Sequence, residues 1–348
     1  MDILESNRSY DCFCGKDAAF DFAASYILEH TDITDVTSLK IAVVSDRIVS
    51  GYYYNRFENQ FINRGIKPVL ISVEAANNSK SLASADSVFR YLSDFAFGRN
   101  DWIIGLGGGG IIDLSGFVSS VFSGGIRYMA VPTTLNAMTE GIVASRAHLN
   151  SMGQKDYISA DFRPDVAIVD PVFLDTVPAK VKTNGFASVI RYGILQDPSL
   201  ILELDKKKPG DIREFLCRVY AARATVEKKD PDLLKLGDEV AYAIESYFRF
   251  MNYSEGEALA LSLLGVADEK RRQALIKIYE VLGLPVKLKD VSPEMIIKTM
   301  ADRIRRTNSG LVRTVDLDSE GGRWVVRDMP PEDAIALFRK RIETIGDR

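Results

Sequence analysis

Four consecutive glycines, Gly107–Gly110, separate an apolar run from a segment of helical periodicity, and this arrangement constrains the fold more than any other stretch. Trp102–Leu106 is predicted as a buried strand, and Ile111–Phe122 repeats apolar residues at helical spacing. Glycine permits positive φ and lets backbone N–H groups approach an anion closely, and a helix start adds its positive dipole end. A tight strand-to-helix turn alone needs only one or two glycines. The loop therefore favours an anion-binding site over a simple turn.

The first half of the chain alternates between strand and helix patterns. The predicted strands are Leu39–Asp46, Lys67–Glu74, Trp102–Leu106, Gly125–Thr134 and Asp165–Pro171. Strands that alternate with helices form a parallel sheet covered by helices on both faces. The expected fold class is therefore α/β, with a Rossmann-like parallel-sheet domain at the N-terminus.

From about Pro178 the pattern becomes mostly helical, with predicted helices at Asp211–Lys229, Glu239–Asn252 and Glu255–Leu264. Close to the C-terminus, Leu311–Asp328 alternates and contains Gly321-Gly322, as a small hairpin does. We therefore predict two domains: an α/β domain over residues 1–172, and a mostly α-helical domain with a C-terminal hairpin over residues 173–348.

Composition excludes several classes of function. A net charge of -4 over 348 residues argues against non-specific nucleic-acid binding, which needs clustered positive charge. The longest apolar stretches are of strand length and the N-terminus lacks the pattern of a secretory signal, so no membrane partner is expected. Three cysteines fit no zinc spacing, and two histidines nearly exclude a His-rich metal site or a Ser–His–Asp triad. We expect a cytoplasmic protein.

Gly105–Gly110 also satisfies the G-x-G-x-x-G pattern of dinucleotide-binding folds. That fingerprint further requires an acid at the end of the next strand to hold a ribose hydroxyl, and no acid follows the loop's helix before Glu140. An acid does end the first predicted strand, at Asp46. From the sequence alone, Asp46 is equally a helix N-cap or a ribose contact.

The segment GGGGIIDLSGFVSSVFSGGIRYMAVPTTL, residues 107–135, resembles the corresponding segment of 3-dehydroquinate synthases and their sugar-phosphate cyclase relatives. The shared motifs are GGG-x-x-x-D-x-x-G-F and V-P-T-T-L. The resemblance continues through residues 153–197 and covers most of residues 39–310. It implies an α/β domain followed by a helical domain, and a homodimer.

This resemblance implies NAD as cofactor, with its pyrophosphate on the glycine loop. The positions that match the family's NAD contacts are Asp46, Lys80, Gly107, Gly108, Gly109, Gly110, Asp113, Thr133, Thr134, Lys155, Phe173 and Thr176.

The family also holds a divalent cation with one glutamate and two histidines, and here the sequence departs from it. Ser188 takes the place of the glutamate, and Asp238 and Glu255 take the places of the histidines. A further family histidine becomes Tyr242. Ser188, Asp238 and Glu255 are hard oxygen ligands, which favour magnesium, manganese or calcium over zinc or cobalt. The alternative is that Asp238 and Glu255 are solvated surface charges.

The resemblance implies an anionic sugar-phosphate substrate as well. Family lysines that bind its anionic groups become Arg146 and Arg191, which keep the charge but change a point donor into a planar fork. The family's asparagine becomes Asp156, expected to hydrogen-bond substrate hydroxyls, and an aspartate becomes Glu140.

The activity implied is conversion of 3-deoxy-D-arabino-heptulosonate 7-phosphate to 3-dehydroquinate with release of phosphate, a step of the shikimate pathway to aromatic amino acids. In that reaction NAD oxidises a ring hydroxyl, phosphate leaves by β-elimination, the hydride returns, and an aldol step closes the carbocycle. Two alternatives stay open: an NAD-dependent polyol or glycerol-phosphate dehydrogenase of the same superfamily, and a non-catalytic NAD-binding paralogue, which the loss of the metal-binding histidines favours.

Overall fold

The computed structural model describes residues 2–3, 10–32, 35–74, 80–152, 154–204, 211–307, 310–318 and 322–346. The chain separates into two compact units, Met1–Pro178 and Ala179–Arg348. The predicted boundary after residue 172 lies a few residues earlier, and the roles assigned to the two domains stay predictions.

The first unit is built on a seven-stranded sheet and a separate hairpin. Its described strands are β1 Asp2–Ile3, β2 Asp11–Cys14, β3 Ile41–Asp46, β4 Val69–Val73, β5 Trp102–Gly107, β6 Arg127–Pro132, β7 Arg146–Ser151, β8 Gln154–Asp161 and β9 Val166–Val169. The sheet has the order β1-β2-β9-β6-β5-β3-β4, and β1 alone runs antiparallel to its neighbour. β3, β5 and β9 are buried throughout, as parallel strands covered on both faces are.

The described helices of the first unit are α1 Ala18–Asp21, α2 Ala23–Glu29, α3 Arg47–Ile62, α4 Leu82–Asp94, α5 Gly109–Val121 and α6 Leu135–Thr139. Three of them begin at a side chain that accepts backbone N–H groups: Asp46 for α3, Ser81 for α4 and Thr134 for α6. α5 begins at Gly108, which offers no capping side chain. The hairpin β7–β8 packs against α5.

The α/β class and all five predicted strands are confirmed, with ends that differ from the prediction by no more than two residues. The short strand β1, the strand β2 and the β7–β8 hairpin were not predicted. β2 has only four residues and lies between polar neighbours. The β7–β8 hairpin is largely polar, because it packs on α5 with one face and leaves the other to solvent.

The second unit is mostly helical around one apolar core. Its described elements are α7 Ala179–Leu195, α8 Pro198–Leu204, α9 Ile212–Lys229, α10 Asp238–Tyr247, α11 Glu255–Val266, α12 Glu269–Leu282, α13 Pro293–Thr307, β10 Val312–Leu317, β11 Trp324–Met329 and α14 Pro331–Ile345. The antiparallel pair β10–β11 is the predicted hairpin, although Gly321 of its predicted turn lies outside the described residues. α10 ends at Tyr247, short of the predicted Asn252, because Arg249 and Phe250 adopt positive φ.

Across the described residues, no helix combines the length and the apolar character that a membrane crossing requires.

Candidate cofactor and substrate site

The glycine loop lies at the point where the order of the sheet reverses. From β3 the chain adds β4 on one side, while β5, β6 and β9 follow on the other. The carboxyl ends of the adjacent strands β3 and β5 are Asp46 and Gly107. Open parallel sheets bind ligands outside the strand ends at such a reversal. The topology therefore gives the loop the position of a ligand site.

Gly105 and Gly107, at the end of β5, are required by packing. A Cβ on Gly105 would lie 2.2 Å from Ser115 Oγ, and a Cβ on Gly107 would lie 2.6 Å from Ile111 Cβ. Both contacts are far closer than carbon atoms tolerate, so these glycines let β5 approach α5. For these two glycines, the simpler of the two interpretations of the sequence, a tight strand-to-helix turn, is sufficient.

Gly109 has a different role. A Cβ there would meet no protein atom within 4 Å, and no side chain caps the start of α5 among the described residues. Gly107–Gly110 also have no positive φ, so conformational freedom was the wrong reason to expect glycine. No packing contact of the described residues requires glycine at position 109. An anion bound at the helix N-terminus does require it, because the anion must reach the backbone N–H groups without meeting a side chain. An NAD pyrophosphate fits this opening.

Thr133 provides a second observation in favour of a ligand. Its side chain is only 2% exposed, and its Oγ1 has no hydrogen-bond partner within the described structure. Buried hydroxyls are nearly always hydrogen-bonded. The neighbouring Thr134 is satisfied, because its Oγ1 accepts the Ala137 N–H at 3.3 Å. The Thr133 hydroxyl therefore points to a partner that binds from outside the chain.

The other predicted NAD positions in this unit have structural partners. Asp46 Oδ1 accepts the N–H groups of Ile48 and Val49 at 2.8 and 3.0 Å, so the N-cap interpretation holds. Phe173 is fully buried, so its predicted contact with NAD stays a prediction. Thr176 Oγ1 lies 2.5 Å from the hydroxyl of Tyr53.

Three further predicted residues meet in one ion cluster. Lys80 Nζ lies 2.6 Å from Asp113 Oδ2 and also hydrogen-bonds Asp156 Oδ1. α5 supplies Asp113, β8 supplies Asp156, and the Asn150 N–H donates to the Lys80 carbonyl at 2.8 Å, which joins Lys80 to the hairpin. Because these positions are far apart in sequence, only the fold brings them together.

Charge holds this cluster in its ionised form. Burial acts to lower the pKa of Lys80, but the carboxylates of Asp113 and Asp156 outweigh it and raise that pKa well above its usual range. Burial likewise acts to raise the pKa of Asp156, but Lys80 and Lys155 outweigh it and hold that pKa below its usual range. The cluster is therefore an ammonium between two carboxylates at neutral pH.

His148 belongs to the same cluster and was missed. Its Nδ1 lies 3.9 Å from Asp113 Oδ1, and its backbone N–H donates to that oxygen at 3.1 Å. Asp113, His148 and Asp156 offer ligand atoms within 4.8 Å of one another, but Lys80 already supplies a cation there. The position of His148, two residues after Arg146 on a strand whose side chains alternate between two faces, is the sequence signal that could have identified it.

Arg146 and Glu140 are the other predicted substrate residues of this unit. Arg146 begins β7, is 59% exposed at its side chain, and its Nε lies 3.5 Å from Asp161 Oδ1 across the hairpin. Glu140 follows the last residue of α6, and its backbone N–H donates to the Asn136 carbonyl at 2.8 Å. Their predicted substrate contacts stay predictions.

In the second unit, Arg191 and Asp238 form an ion pair. Arg191 Nη1 lies 2.7 Å from Asp238 Oδ1, with the arginine side chain 8% exposed and the aspartate 53% exposed. Ser188, one helical turn before Arg191 on α7, is buried. Glu255 is exposed at the first position of α11.

These residues do not fit the divalent cation that the resemblance implies. Ser188 carries no charge, and the carboxylate of Asp238 already pairs with a guanidinium that keeps its charge at any physiological pH. Glu255 is the one remaining carboxylate of the predicted set, and a cation bound by a single exposed carboxylate is weakly held.

Comparison with known proteins agrees with this architecture. The sequence profile of the family described as 3-dehydroquinate synthase N-terminal matches residues 70–184. The 3-dehydroquinate synthase of Clostridium kluyveri is 30% identical over 288 residues, which covers 77% of this chain and 80% of that protein.

Two solved structures share the fold. The 2-epi-5-epi-valiolone synthase ValA of Streptomyces hygroscopicus, solved with NAD+ and Zn²⁺, superposes with a TM-score of 0.79 at 18% identity, over 97% of this chain and 98% of that one. A 2-deoxy-scyllo-inosose synthase, solved with carbaglucose-6-phosphate, NAD+ and Co²⁺, also gives 0.79, at 16% identity and the same coverage. On the strength of the sequence match to the clostridial enzyme, this chain belongs to the 3-dehydroquinate synthase family.

Proposed function

We propose that this protein is an NAD-dependent cyclase that converts 3-deoxy-D-arabino-heptulosonate 7-phosphate into 3-dehydroquinate with release of phosphate. The observation that carries the proposal is the open helix N-terminus at Gly109, beside the buried and unpartnered Thr133 hydroxyl, at the reversal point of the sheet. Family membership supplies the reaction class, since relatives that cover most of the chain are 3-dehydroquinate synthases.

NAD, when bound, would accept a hydride from the carbon that bears a substrate hydroxyl, while the hydroxyl loses its proton, and would return the hydride within the same turnover. The chain's own contribution is placement and charge. The N-terminus of α5 offers backbone N–H groups and a positive dipole end to the pyrophosphate, and Thr133 offers its hydroxyl. The family's other NAD positions, including Lys155, are carried over as part of this proposal.

Substrate binding is assigned to charged side chains at positions that match the family's substrate contacts: Arg146 and Glu140 keep the family's charge, whereas Asp156 replaces a neutral asparagine. Asp156, held ionised by Lys80, accepts hydrogen bonds from substrate hydroxyls. Arg146, largely exposed, is available to an anionic group of the substrate, and Glu140 takes the place of a family aspartate. The substrate is thus an anionic sugar phosphate, and the homodimer and the cytoplasmic location remain predictions.

One incubation tests this function against its alternatives. The purified protein is mixed with NAD and 3-deoxy-D-arabino-heptulosonate 7-phosphate, and inorganic phosphate and NADH absorbance are followed together. A cyclase accumulates phosphate while net NADH stays near zero, because the hydride returns. NADH formation from a polyol without phosphate release identifies the dehydrogenase alternative. Neither signal, in a folded protein that binds NAD, identifies the paralogue.

A further inference from the structure

α10 presents two residues at positions where the family has histidines, and both contact arginines. Asp238 pairs with Arg191 at 2.7 Å. Tyr242, one helical turn later, lies with its ring 4.0 Å from the guanidinium carbon of Arg303. Arg303 also forms an ion pair with Glu239 on the same helix. In the family the position of Asp238 is a metal-binding histidine and that of Tyr242 is a further histidine, and here both positions contact the guanidinium group of an arginine.

The ion pair gives Asp238 a defined structural task. The Arg191 side chain is buried, and a buried guanidinium requires a counter-charge because it does not lose its proton. Asp238 supplies such a counter-charge at 2.7 Å. The carboxylate is therefore committed to Arg191 in the resting protein.

A divalent cation at the same place meets an electrostatic obstacle. A metal bound to Asp238 would lie within a few ångströms of the Arg191 guanidinium, and like charges at that separation in a partly buried site repel strongly. Ser188, at the position of the family's glutamate, is a neutral and weak ligand. At these two positions the family's metal ligands are thus replaced by a neutral hydroxyl and by a carboxylate that already pairs with a guanidinium.

We propose that the guanidinium of Arg191, held by Asp238, takes the place of the divalent cation, and that this protein binds and requires no metal. The inference rests on the proposed function, because it gives Arg191 the metal's electrostatic role: a fixed positive charge near the substrate oxygen that gains negative charge. A guanidinium supplies that charge as a hydrogen-bond donor instead of as a Lewis acid.

Metal content decides the first half of the proposal without any assay of activity. The protein is purified without metal-affinity steps, and bound metals are measured by mass spectrometry before and after chelation. Thermal unfolding is then measured with Zn²⁺, Co²⁺, Mn²⁺ and Mg²⁺. We expect no stoichiometric metal and no stabilisation by any of these ions. A stoichiometric metal, or saturable stabilisation by one of them, overturns the proposal.

Variants of Arg191 decide the second half. Arg191→Lys keeps a charge and Arg191→Met removes it at similar size, while Arg305→Met, which breaks an exposed pair with Glu332, is the matched control. We expect phosphate release that survives chelation, about a hundredfold loss of kcat in Arg191→Met, a smaller loss in Arg191→Lys, and no change in the control. NAD affinity should stay constant throughout.

Two outcomes contradict this role for Arg191: loss of phosphate release on chelation with recovery on adding a divalent ion, or an Arg191→Met enzyme that keeps its kcat. If the unmodified protein releases no phosphate under any condition, the proposed function fails, while the metal measurements still decide whether the site excludes metal.

Discussion

We propose that Gly109 is a glycine because a ligand approaches its backbone. A Cβ there meets no atom of the described residues within 4 Å, so Gly109→Val should leave the unfolding temperature nearly unchanged while it weakens NAD binding about tenfold or more, which is about 1.4 kcal/mol. Calorimetry with NAD and thermal unfolding measure the two quantities. Gly107→Ala is the matched control: its Cβ would overlap Ile111 at 2.6 Å and should cost about 1–3 kcal/mol of stability. Equal NAD affinity in Gly109→Val and the unmodified protein would refute the cofactor site.

The Thr133 and Thr134 pair offers a test in which stability and binding move in opposite directions. Thr133→Val removes a buried hydroxyl that has no hydrogen-bond partner among the described residues, so the free protein should become more stable by about 1 kcal/mol while NAD affinity falls. Thr134→Val removes the N-cap of α6 and should lower stability by about 1 kcal/mol. Chemical denaturation with and without NAD measures both. A Thr133→Val protein that is destabilised, or that binds NAD normally, contradicts this assignment.

The Lys80 cluster predicts a dependence on acid. Because the pKa of Asp156 is held below its unfolded value, its contribution to stability is complete above that unfolded value, near pH 4, and is lost as the pH falls through the lower folded value. Asp156→Asn should therefore reduce stability at pH 7 by about 0.5–1 kcal/mol, since the side chain is partly exposed to solvent. Asparagine tolerates the positive φ of 57° at this position.

Unfolding curves of both proteins from pH 7 down to pH 3 measure this difference. It should shrink as the pH falls below about 4, where aspartate becomes neutral. A difference that is independent of pH would mean that the Lys80 pair contributes nothing through charge.

Helices α7 and α11 approach so closely that their contact depends on one glycine. A Cβ on Gly256 would lie 2.2 Å from the backbone oxygen of Asn184, so Gly256→Ala should cost about 3 kcal/mol or more. Gly51→Ala, in the exposed interior of α3 with no atom within 4 Å, should instead add about 0.5–1 kcal/mol. Denaturant unfolding compares the two, and an unchanged midpoint for Gly256→Ala would contradict the packing described for α7 and α11.

Among the helices and strands, the sequence predicted those that are defined by burial of apolar residues. It did not predict those that depend on local backbone geometry or on contacts between polar segments. β3 and β5 were predictable because strands buried on both faces are continuously apolar. The β7–β8 hairpin was not, since polar residues occupy its solvent face and contacts with other elements, mainly α5, hold it in place. The end of α10 was overestimated because nothing in its composition announces the positive φ of Arg249.

For the whole molecule, the residue types and their order predicted the family and the cofactor loop. They could not predict which charged side chains from distant parts of the chain contact one another. Asp238 was predicted as a metal ligand and its ion pair with Arg191 was not foreseen, because no sequence pattern tells whether a carboxylate meets a metal or an arginine distant in sequence. His148 was passed over because its partners Asp113 and Asp156 lie on other elements. In both cases the missing information was which charges share a site, and folding alone supplies it.

In the proposed reaction, one turnover both removes a hydride from the substrate and returns it to the product. Isotope transfer follows that hydride directly. The substrate is prepared with deuterium on the carbinol carbon that is oxidised, and the product and the nicotinamide pool are analysed by mass spectrometry after many turnovers. We predict that phosphate is released, that the carbocyclic product retains the deuterium, and that free NADH carries none. Deuterium accumulating in NADH, with no label returned to the product, would contradict the cyclase account.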